Sequence, residues 1–159
     1  MTFSLMGRCE RTGMIGFAGA TSELAAGGRF PHAKAQIGAV ITQALTNPYL
    51  GHLGIKLLET GYAPHKVLDE IVASDTHVEF RQLGVMDRFG RTAARTGGNN
   101  ADVAEHIAES NLIALGNRVN EGVVGAISLV QYEIADECPW TDEMVLELWC
   151  RMIQETDNK

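Results

Sequence analysis

The second residue of the chain is a threonine that directly follows Met1. A small residue at this position lets an aminopeptidase remove Met1, and Thr2 would then carry both a hydroxyl and a free α-amine. A residue of this kind is a nucleophile that brings its own base. A threonine behind the first methionine is also common for reasons of translation alone, so Thr2 needs support from its surroundings before it indicates catalysis.

The other sequence patterns that carry chemistry are weak. The motifs GxxxxGK[ST], HExxH and GxSxG and the EF-hand loop are absent from the sequence. Asp75, His77 and Glu79 would align as metal ligands on a strand, but their segment reads as the polar end of a helix. Two glycine-rich stretches, Gly27-Gly28 and Gly97-Gly98, suit either an anion cradle or a tight turn. We therefore predict no metal site and no cofactor.

The composition of the chain argues against nucleic acid and membrane as partners. The chain has 159 residues and a net charge of −7, and its basic residues form no run, which argues against nucleic-acid binding. No apolar stretch is long enough for a membrane span, and Arg8, Glu10 and Arg11 interrupt the place of a signal peptide. We predict one domain over residues 1–159, located in the cytoplasm, with no membrane partner and with reduced cysteines.

The apolar pattern predicts strands in the first part of the chain. Residues 3–8 and 14–21 read as a hairpin covered on both faces, and residues 36–45 read as a third buried strand. The glycine-rich segment 23–34 between them has no regular pattern. Because the strands are apolar on both alternating sets of positions, we expect layers on either side of them.

Helices follow, and then more strands. Leucines from Leu50 to Leu58 recur with helical spacing before Gly61, and Pro64 stands at the start of a second apolar stripe. Residues 80–87 and 91–96 predict a second hairpin, whereas residues 104–110 and 111–117 suit either strand or helix. Two more helices are predicted after Val123 and after Thr141. The order of elements predicts an α+β fold with helices over an antiparallel sheet.

The sequence resembles a known family. The segments that carry the resemblance are MTFS at the start, GFA, PHAKAQIGAVITQALTNPYLG (31–51), FRQLGVMDRFGRTAARTG (80–97) and ALGN (114–117). They are similar to a bacterial and archaeal family of proteins of unknown function that is placed in the N-terminal nucleophile (Ntn) hydrolase superfamily. The resemblance implies a four-layer αββα sandwich and a mature chain that begins at Thr2.

The same resemblance implies an amide-bond hydrolase. In Ntn hydrolases the N-terminal hydroxyl attacks an amide carbonyl and the α-amine accepts its proton, and a nearby cation keeps that amine neutral. Lys34 is the candidate cation, although a lysine in that place can also keep its head in solvent. Backbone N–H groups are the expected donors to the oxyanion, with Asn117 and Asn47 as side-chain alternatives.

Three further residues, together with Asn47, are expected to contact substrate. Thr42 and Gln43 could orient it or could satisfy local backbone groups at a strand end, and His106 matches a histidine of the family. The implied substrate is a small amide or a peptide-like compound. The alternative is a catalytically inactive Ntn-fold protein that binds a small ligand or serves as an assembly subunit.

The chain departs from the family in two places. Residues 97–106 (GGNNADVAEH) replace a cysteine- and tryptophan-containing stretch of the relatives, and the final strand pair of the relatives is expected to be missing. A missing strand pair would leave an open sheet edge, so we expect a homo-oligomer.

Overall fold

A computed structural model describes residues 1–101, 103–120 and 124. This part of the chain contains eight strands and two α-helices. In chain order they are β1 (Thr2–Arg8), β2 (Ile15–Thr21), β3 (Pro31–Lys34), β4 (Gly38–Ala44), α1 (Pro48–Glu59), α2 (Pro64–Ser74), β5 (Arg81–Asp87), β6 (Thr92–Thr96), β7 (Ala104–Glu109) and β8 (Leu112–Asn117).

The strands form two four-stranded antiparallel sheets. The first sheet has the order β2-β1-β8-β7 and the second has the order β3-β4-β5-β6. Because side chains alternate along a strand, each sheet turns one set of residues toward the other sheet. Met6 and Ile113 of the first sheet pack there against Ile41 and Met86 of the second. At Gly84 an added Cβ would lie 3.0 Å from Ile113, so the sheets approach closely at this point.

The two helices cover the other face of the second sheet. Val40 and Leu83 of that sheet pack against Leu50 of α1 and Ile71 of α2. Helix α1 ends just before Gly61, which has a φ of +92°, a conformation that suits glycine after a helix end. The predicted α+β class is confirmed, and the described residues form a helix layer and two packed sheets.

The structure resolves two uncertain segments and corrects a third. Residues 104–110 and 111–117, which suited either strand or helix, contain the β7–β8 hairpin. The segment predicted to be irregular contains β3, a four-residue edge strand that begins at a proline, where no ladder N–H is required. The predicted C-terminal helices fall on residues 121–159, of which the structure describes only Val124.

Two findings bear on the sequence predictions about environment. Cys9 is disulfide-bonded, so the prediction of a reduced thiol is wrong at this residue. Neither helix in the described part of the chain has the length and apolar character needed to cross a bilayer.

Candidate functional site

Thr2 lies at the edge of the space between the two sheets. It is the first residue of β1 and stands in register between Thr21 of β2 and Asn117 of β8. Its side chain is on the same face of β1 as Ser4 and Met6, which contact the second sheet. Thr2 is half-buried, so its hydroxyl meets both the inter-sheet space and solvent.

The Thr2 hydroxyl has a fixed neighbour. Its Oγ1 is 2.9 Å from the Oγ1 of Thr21, the residue directly across the β1–β2 ladder. The backbone N–H of Glu23 donates to the same Thr21 oxygen at 3.2 Å. This pair of contacts orients the Thr21 hydroxyl and, through it, the side chain of Thr2.

Beyond Thr2, a set of buried polar side chains joins the two sheets. Ser4 Oγ donates to Gln43 Oε1 at 2.6 Å, and Gln43 Nε2 donates to Gln82 Oε1 at 2.8 Å. Asn117 Nδ2 donates to the same Gln82 oxygen at 2.9 Å. We call Ser4, Gln43, Gln82 and Asn117 the amide network. All four are buried, and their mutual hydrogen bonds offset the cost of taking them out of water.

Gln82 is the centre of the amide network. Its Nε2 lies 2.8 Å from the carbonyl oxygen of Gly116, 3.1 Å from that of Glu105 and 3.0 Å from Thr96 Oγ1. Gly116 and Glu105 belong to the first sheet, so Gln82 reaches across the inter-sheet space to its backbone. Gln82 is therefore bonded to four strands.

The network continues to His106 at the edge of the first sheet. Thr96 Oγ1 is 2.9 Å from His106 Nδ1. Part of the His106 ring lies at the surface, but the surrounding protein removes enough water to lower the pKa of His106 below its usual value. A histidine with a lowered pKa is neutral at pH 7 and can accept a hydrogen bond from a hydroxyl.

The backbone is unusual next to two members of the network. Ala44, which follows Gln43, has a φ of 67°, and Arg118, which follows Asn117, has a φ of 53°. Side-chain-bearing residues rarely adopt this left-handed conformation, and it concentrates at functional sites. Both positions lie at or just after the end of a strand, beside the amide network.

A buried ion pair holds the same end of the second sheet. Arg81 donates from Nε to Asp75 Oδ2 at 2.5 Å and from Nη2 to Asp75 Oδ1 at 3.1 Å, and its Nη1 donates to the carbonyl of Leu45. These hydrogen bonds from Arg81 hold the pKa of Asp75 below its ordinary value. The pair ties the end of α2 to the ends of β4 and β5.

The structure brings some of the predicted site residues together. Asn117 stands directly across from Thr2, and Gln43 and His106 connect to Asn117 through Gln82 and Thr96. The shared feature of these residues is that their side chains face the inter-sheet space.

Thr42 and Asn47 are placed elsewhere. Thr42 follows the opposite alternation from Gln43, so it faces the helix layer, where its Oγ1 accepts from the backbone N–H of Asn47 at 3.4 Å. Asn47 is the N-cap of α1, and its Oδ1 accepts from Tyr49 N at 3.1 Å. Both side chains thus satisfy local backbone groups, which was the alternative that the sequence left open for Thr42.

Lys34 is not near Thr2. It pairs in register with Gly38, at the far end of β4 from Gln43, a separation of roughly 17 Å at about 3.4 Å per residue. Its ammonium bonds to Glu59 of α1, on the helix side of the second sheet. The predicted contact between a Lys34 cation and Thr2 is absent for two reasons: the strand is too long, and the side chain points to the wrong face.

Sequence reasoning missed four polar residues around Thr2. Ser4, Thr21, Gln82 and Thr96 were not singled out, although each lies in or beside the amide network. The available signal was the alternation of side chains along a strand. Ser4 is two residues from Thr2, and Gln82 is a polar residue beside the apolar run that starts at Leu83. No sequence signal indicated that Gln82 would lie directly across from Gln43.

The two weaker sequence patterns have structural explanations. Gly98 N donates to Glu79 Oε2 at 2.8 Å, so a carboxylate of the chain itself occupies the glycine-rich turn. Asp75 bonds to Arg81, and Glu79 also bonds to Arg95. Over the ranges that the structure describes, no three His, Cys, Asp or Glu side chains are grouped as a metal site would require.

Comparisons with other proteins agree with this fold. The fold is similar to the crystal structure of a protein from Silicibacter pomeroyi that carries the same family model as this chain, with a TM-score of 0.85 and 28% sequence identity. That alignment covers 97% of this chain and 70% of the other. No curated protein matches. The family model is described as a family of unknown function, DUF1028, and it matches residues 2–146. The chain therefore belongs to the DUF1028 family.

Proposed function

We propose that the chain is an amide-bond hydrolase whose nucleophile is Thr2 Oγ1, made competent by the removal of Met1. The observation that carries the proposal is the position of Thr2 at the start of β1, on the face that bears the amide network. Removal of Met1 would create an α-amine in the same residue as the hydroxyl. The ordinary pKa of such an amine is roughly 7.7–8.0, so a fraction of it is neutral and basic at pH 7.

The reaction divides into two steps that share one proton route. Thr2 Oγ1 bonds to the substrate carbonyl carbon, its proton passes to the α-amine, and the carbonyl π electrons move to the oxygen. When the C–N bond breaks, the leaving nitrogen takes the proton from the α-ammonium group and an ester of Thr2 remains. Water then attacks the carbonyl carbon of this ester and gives up a proton to the α-amine. As the bond from that carbon to Thr2 Oγ1 breaks, Oγ1 takes the proton from the α-ammonium group, which releases a carboxylic acid and restores Thr2.

Asn117 is the side chain best placed to stabilise the oxyanion. It stands in register beside Thr2, where directly opposed residues have Cβ atoms about 4.5–5.5 Å apart. Its amide nitrogen has two N–H groups, and the hydrogen bond to Gln82 uses one of them. We assign the second N–H to the oxyanion. The hydrogen bond to Gln82 fixes the orientation of the group before substrate arrives, which is the condition for strong electrostatic stabilisation.

Membership of the Ntn hydrolase superfamily and a four-layer αββα arrangement are parts of this proposal. In support, the described residues include a helix layer and two packed antiparallel sheets. The outer face of the first sheet carries an apolar cluster that includes Phe3, Leu5 and Ala114, as expected of a sheet face covered by a further layer. The predicted cytoplasmic location and homo-oligomer remain predictions, and light scattering of the purified protein tests the oligomer.

The decisive experiment measures Met1 and Thr2 in one sample. We expect the intact mass of the natively expressed protein to lack Met1, and a retained methionine would overturn the mechanism. The processed protein is then treated with an α′,β′-epoxyketone, which reacts with the hydroxyl and the α-amine of an N-terminal threonine together. Wild type and Thr2→Ser should be labelled, and Thr2→Ala should not.

Two variants make the labelling result specific. Thr76→Ala removes an exposed hydroxyl that lies beside His77, away from the site, and should be labelled like wild type. Asn117→Ala should be labelled about 10² to 10³ times more slowly, because it removes the assigned oxyanion donor. Equal labelling of wild type and folded Thr2→Ala would show that the probe reacts elsewhere and would contradict the proposal.

The second candidate function is an inactive Ntn-fold protein that binds a small ligand. It is favoured by the position of Lys34, which leaves the Thr2 amine without the cation that the resemblance implied. Under this alternative Met1 is removed but the epoxyketone labels neither wild type nor Thr2→Ser. The same experiment therefore separates the two candidates.

A further inference from the structure

We propose that the end of the sandwich opposite Thr2 binds a small anion that carries an apolar group, such as an aryl phosphate or an aryl carboxylate. A cleft of about 680 Å³ lies there, within the usual size range of small-molecule sites. Its walls are the end of β1 and the β1–β2 turn on the first sheet, and the β3–β4 and β5–β6 turns on the second. We call it the basic cleft.

The charge of the basic cleft is opposite to that of the chain. Arg8, Lys34 and Arg88 line it, and none of its lining residues within the described part of the chain is acidic. The chain as a whole carries a net charge of −7. Arg8 ends β1, Lys34 ends β3 and Arg88 follows β5. Three basic residues from separate strand ends in one concave surface favour an anion, because their potentials add in a cleft with protein walls.

Arg8 is held in place before any ligand binds. Its Nε donates to the carbonyl of Arg88 at 2.9 Å, and its Nη1 donates to Asn111 Oδ1 at 3.2 Å. Arg8 is half-buried, and the position that a Cβ would take on Gly13 is 3.4 Å from Arg8 Nη2. A planar guanidinium fixed in this way loses little freedom when it bonds an oxyanion, so it is the anchor we assign to the anionic group.

Lys34 and Arg88 can turn toward the same anion. The partner of Lys34 is Glu59, but the Lys34 side chain is 57% exposed, and exposed ion pairs are worth little. An anion in the cleft can therefore replace Glu59 at low cost. Arg88 lies with its guanidinium carbon 4.6 Å from the centre of the Phe89 ring, which leaves its N–H edge available to the cleft.

The apolar part of the ligand has its own contacts. Phe89 and Met14 line the basic cleft and are 61% and 54% exposed, high values for such large apolar side chains. An aromatic group that covered them would remove apolar surface from water. Gln36, in the β3–β4 turn of the same cleft, has a φ of 64°, so the backbone there also adopts a conformation that is costly for a residue with a side chain.

Isothermal titration calorimetry tests the proposal with three probes. Phenyl phosphate and benzoate combine an aryl group with a phosphate or a carboxylate, and inorganic phosphate is the anion alone. We expect saturable binding of at least one aryl anion and weaker binding of inorganic phosphate. The two aryl probes show which anionic group the cleft prefers, and failure of both to saturate would overturn the proposal.

Variants locate the binding. The double variant Lys34→Gln/Arg88→Gln should weaken aryl-anion binding at least tenfold, whereas Lys56→Gln/Lys66→Gln, with the same change of charge on the helices, should stay within twofold. Phe89→Ala should weaken the aryl anions and leave inorganic phosphate unchanged. Each variant is first shown to unfold cooperatively near the wild-type temperature. Equal weakening in both double variants would mean that only net charge matters, and it would overturn the basic cleft as the site.

Discussion

At the Thr2 end of the molecule the space between the sheets is filled by neutral amides and hydroxyls that bond to one another. At the opposite end, the space between the turns of the two sheets is an open cleft whose lining includes Arg8, Lys34 and Arg88. The four residues of the amide network are buried and bond to one another, whereas the cleft leaves charged groups in contact with solvent. The Thr2 end therefore holds neutral polar groups in fixed orientations, whereas the opposite end presents charged groups that can turn toward a ligand.

This difference has an energetic consequence. A buried polar group that loses its partner costs about 1–3 kcal/mol, whereas an exposed charged group that loses its partner costs less than about 1 kcal/mol. Substitutions at the Thr2 end should therefore change the free energy of unfolding far more than chemically similar substitutions at the basic cleft.

The largest effect is expected from the buried ion pair. Asp75→Asn keeps the shape of the side chain but leaves the buried Arg81 guanidinium without its counter-charge, which should lower the free energy of unfolding by about 4 kcal/mol. Lys34→Gln breaks the exposed Lys34–Glu59 pair at the other end and should cost less than about 1 kcal/mol. Urea unfolding of both variants measures the difference, and equal losses would contradict the comparison.

The ion pair also has a predictable pH dependence. The pKa of Asp75 is lower in the folded chain than its ordinary value of 3.8, so the unfolded chain binds the proton more tightly. Its contribution to stability is therefore complete above about pH 4 and is lost as the pH falls through the lower folded pKa. The gap between wild type and Asp75→Asn should narrow in that acidic range, and a constant gap down to pH 2 would show that the charge is not responsible.

The next largest effect is expected at the centre of the amide network. Gln82→Leu keeps the side-chain volume close to that of glutamine but removes the hydrogen-bond partner of Gln43 and Asn117. We expect a loss of about 3 kcal/mol, since two buried amides are left unsatisfied. Gln36→Leu makes the same chemical change on the exposed β3–β4 turn and should stay within about 0.5 kcal/mol of wild type.

A smaller effect should be the same at both ends. Ala44 beside the network and Gln36 in the basic cleft both have φ values near 65°, where glycine is unstrained. Replacing either with glycine should raise the free energy of unfolding by about 0.5 kcal/mol, after the entropy gained by the unfolded chain is subtracted. Ala108→Gly in β7, where φ is not positive, should instead be destabilising. Thermal unfolding of the three variants checks the signs.

The smallest effect concerns His106. Its pKa lies below 6.5 because of desolvation, so the unfolded chain binds its proton at a higher pH than the folded chain does. Stability should therefore decline slightly as the pH falls below about 6.5, and His106→Gln should reduce that slope. His32, whose pKa is lowered by burial, contributes with the same sign, so the comparison is between wild type and variant. An NMR titration midpoint of 6.5 or higher for His106 would contradict the prediction.

The sequence predicted those parts of the molecule whose signal is periodic. The buried strands β1, β4 and β5 and the helices α1 and α2 follow from apolar spacing and from Pro64 and Gly61. Strand β3 could not be predicted in this way, because a four-residue edge strand with a proline and an exposed lysine has no apolar spacing. Periodicity predicts that a strand or helix exists. It does not predict which other element that strand or helix packs against.

The candidate site was predicted less completely for a related reason. Asn117 and Gln43 were named correctly as polar residues near strand ends, but whether they face the inter-sheet space or the helices depends on strand register. Thr42 and Gln43 are neighbours in sequence and lie on opposite faces of β4, which a list of polar residues cannot distinguish. Lys34 was predicted to be the cation beside Thr2 from its distance in sequence. In the structure Lys34 pairs with Gly38 at the start of β4, whereas the amide network lies at the end of β4.

Gln82 has a consequence for how the two sheets can move. Apolar contacts such as Met6 with Met86 have no preferred direction, so they define the relative position of the two sheets less specifically than hydrogen bonds do. Gln82 instead bonds to the main-chain carbonyls of Glu105 and Gly116, whose positions are fixed by the β7–β8 ladder. The two sheets are thus held against lateral displacement by one side chain that recognises backbone. Because Gln82 bonds to the backbone carbonyl of Glu105, replacing the Glu105 side chain should leave the alignment of the two sheets unchanged.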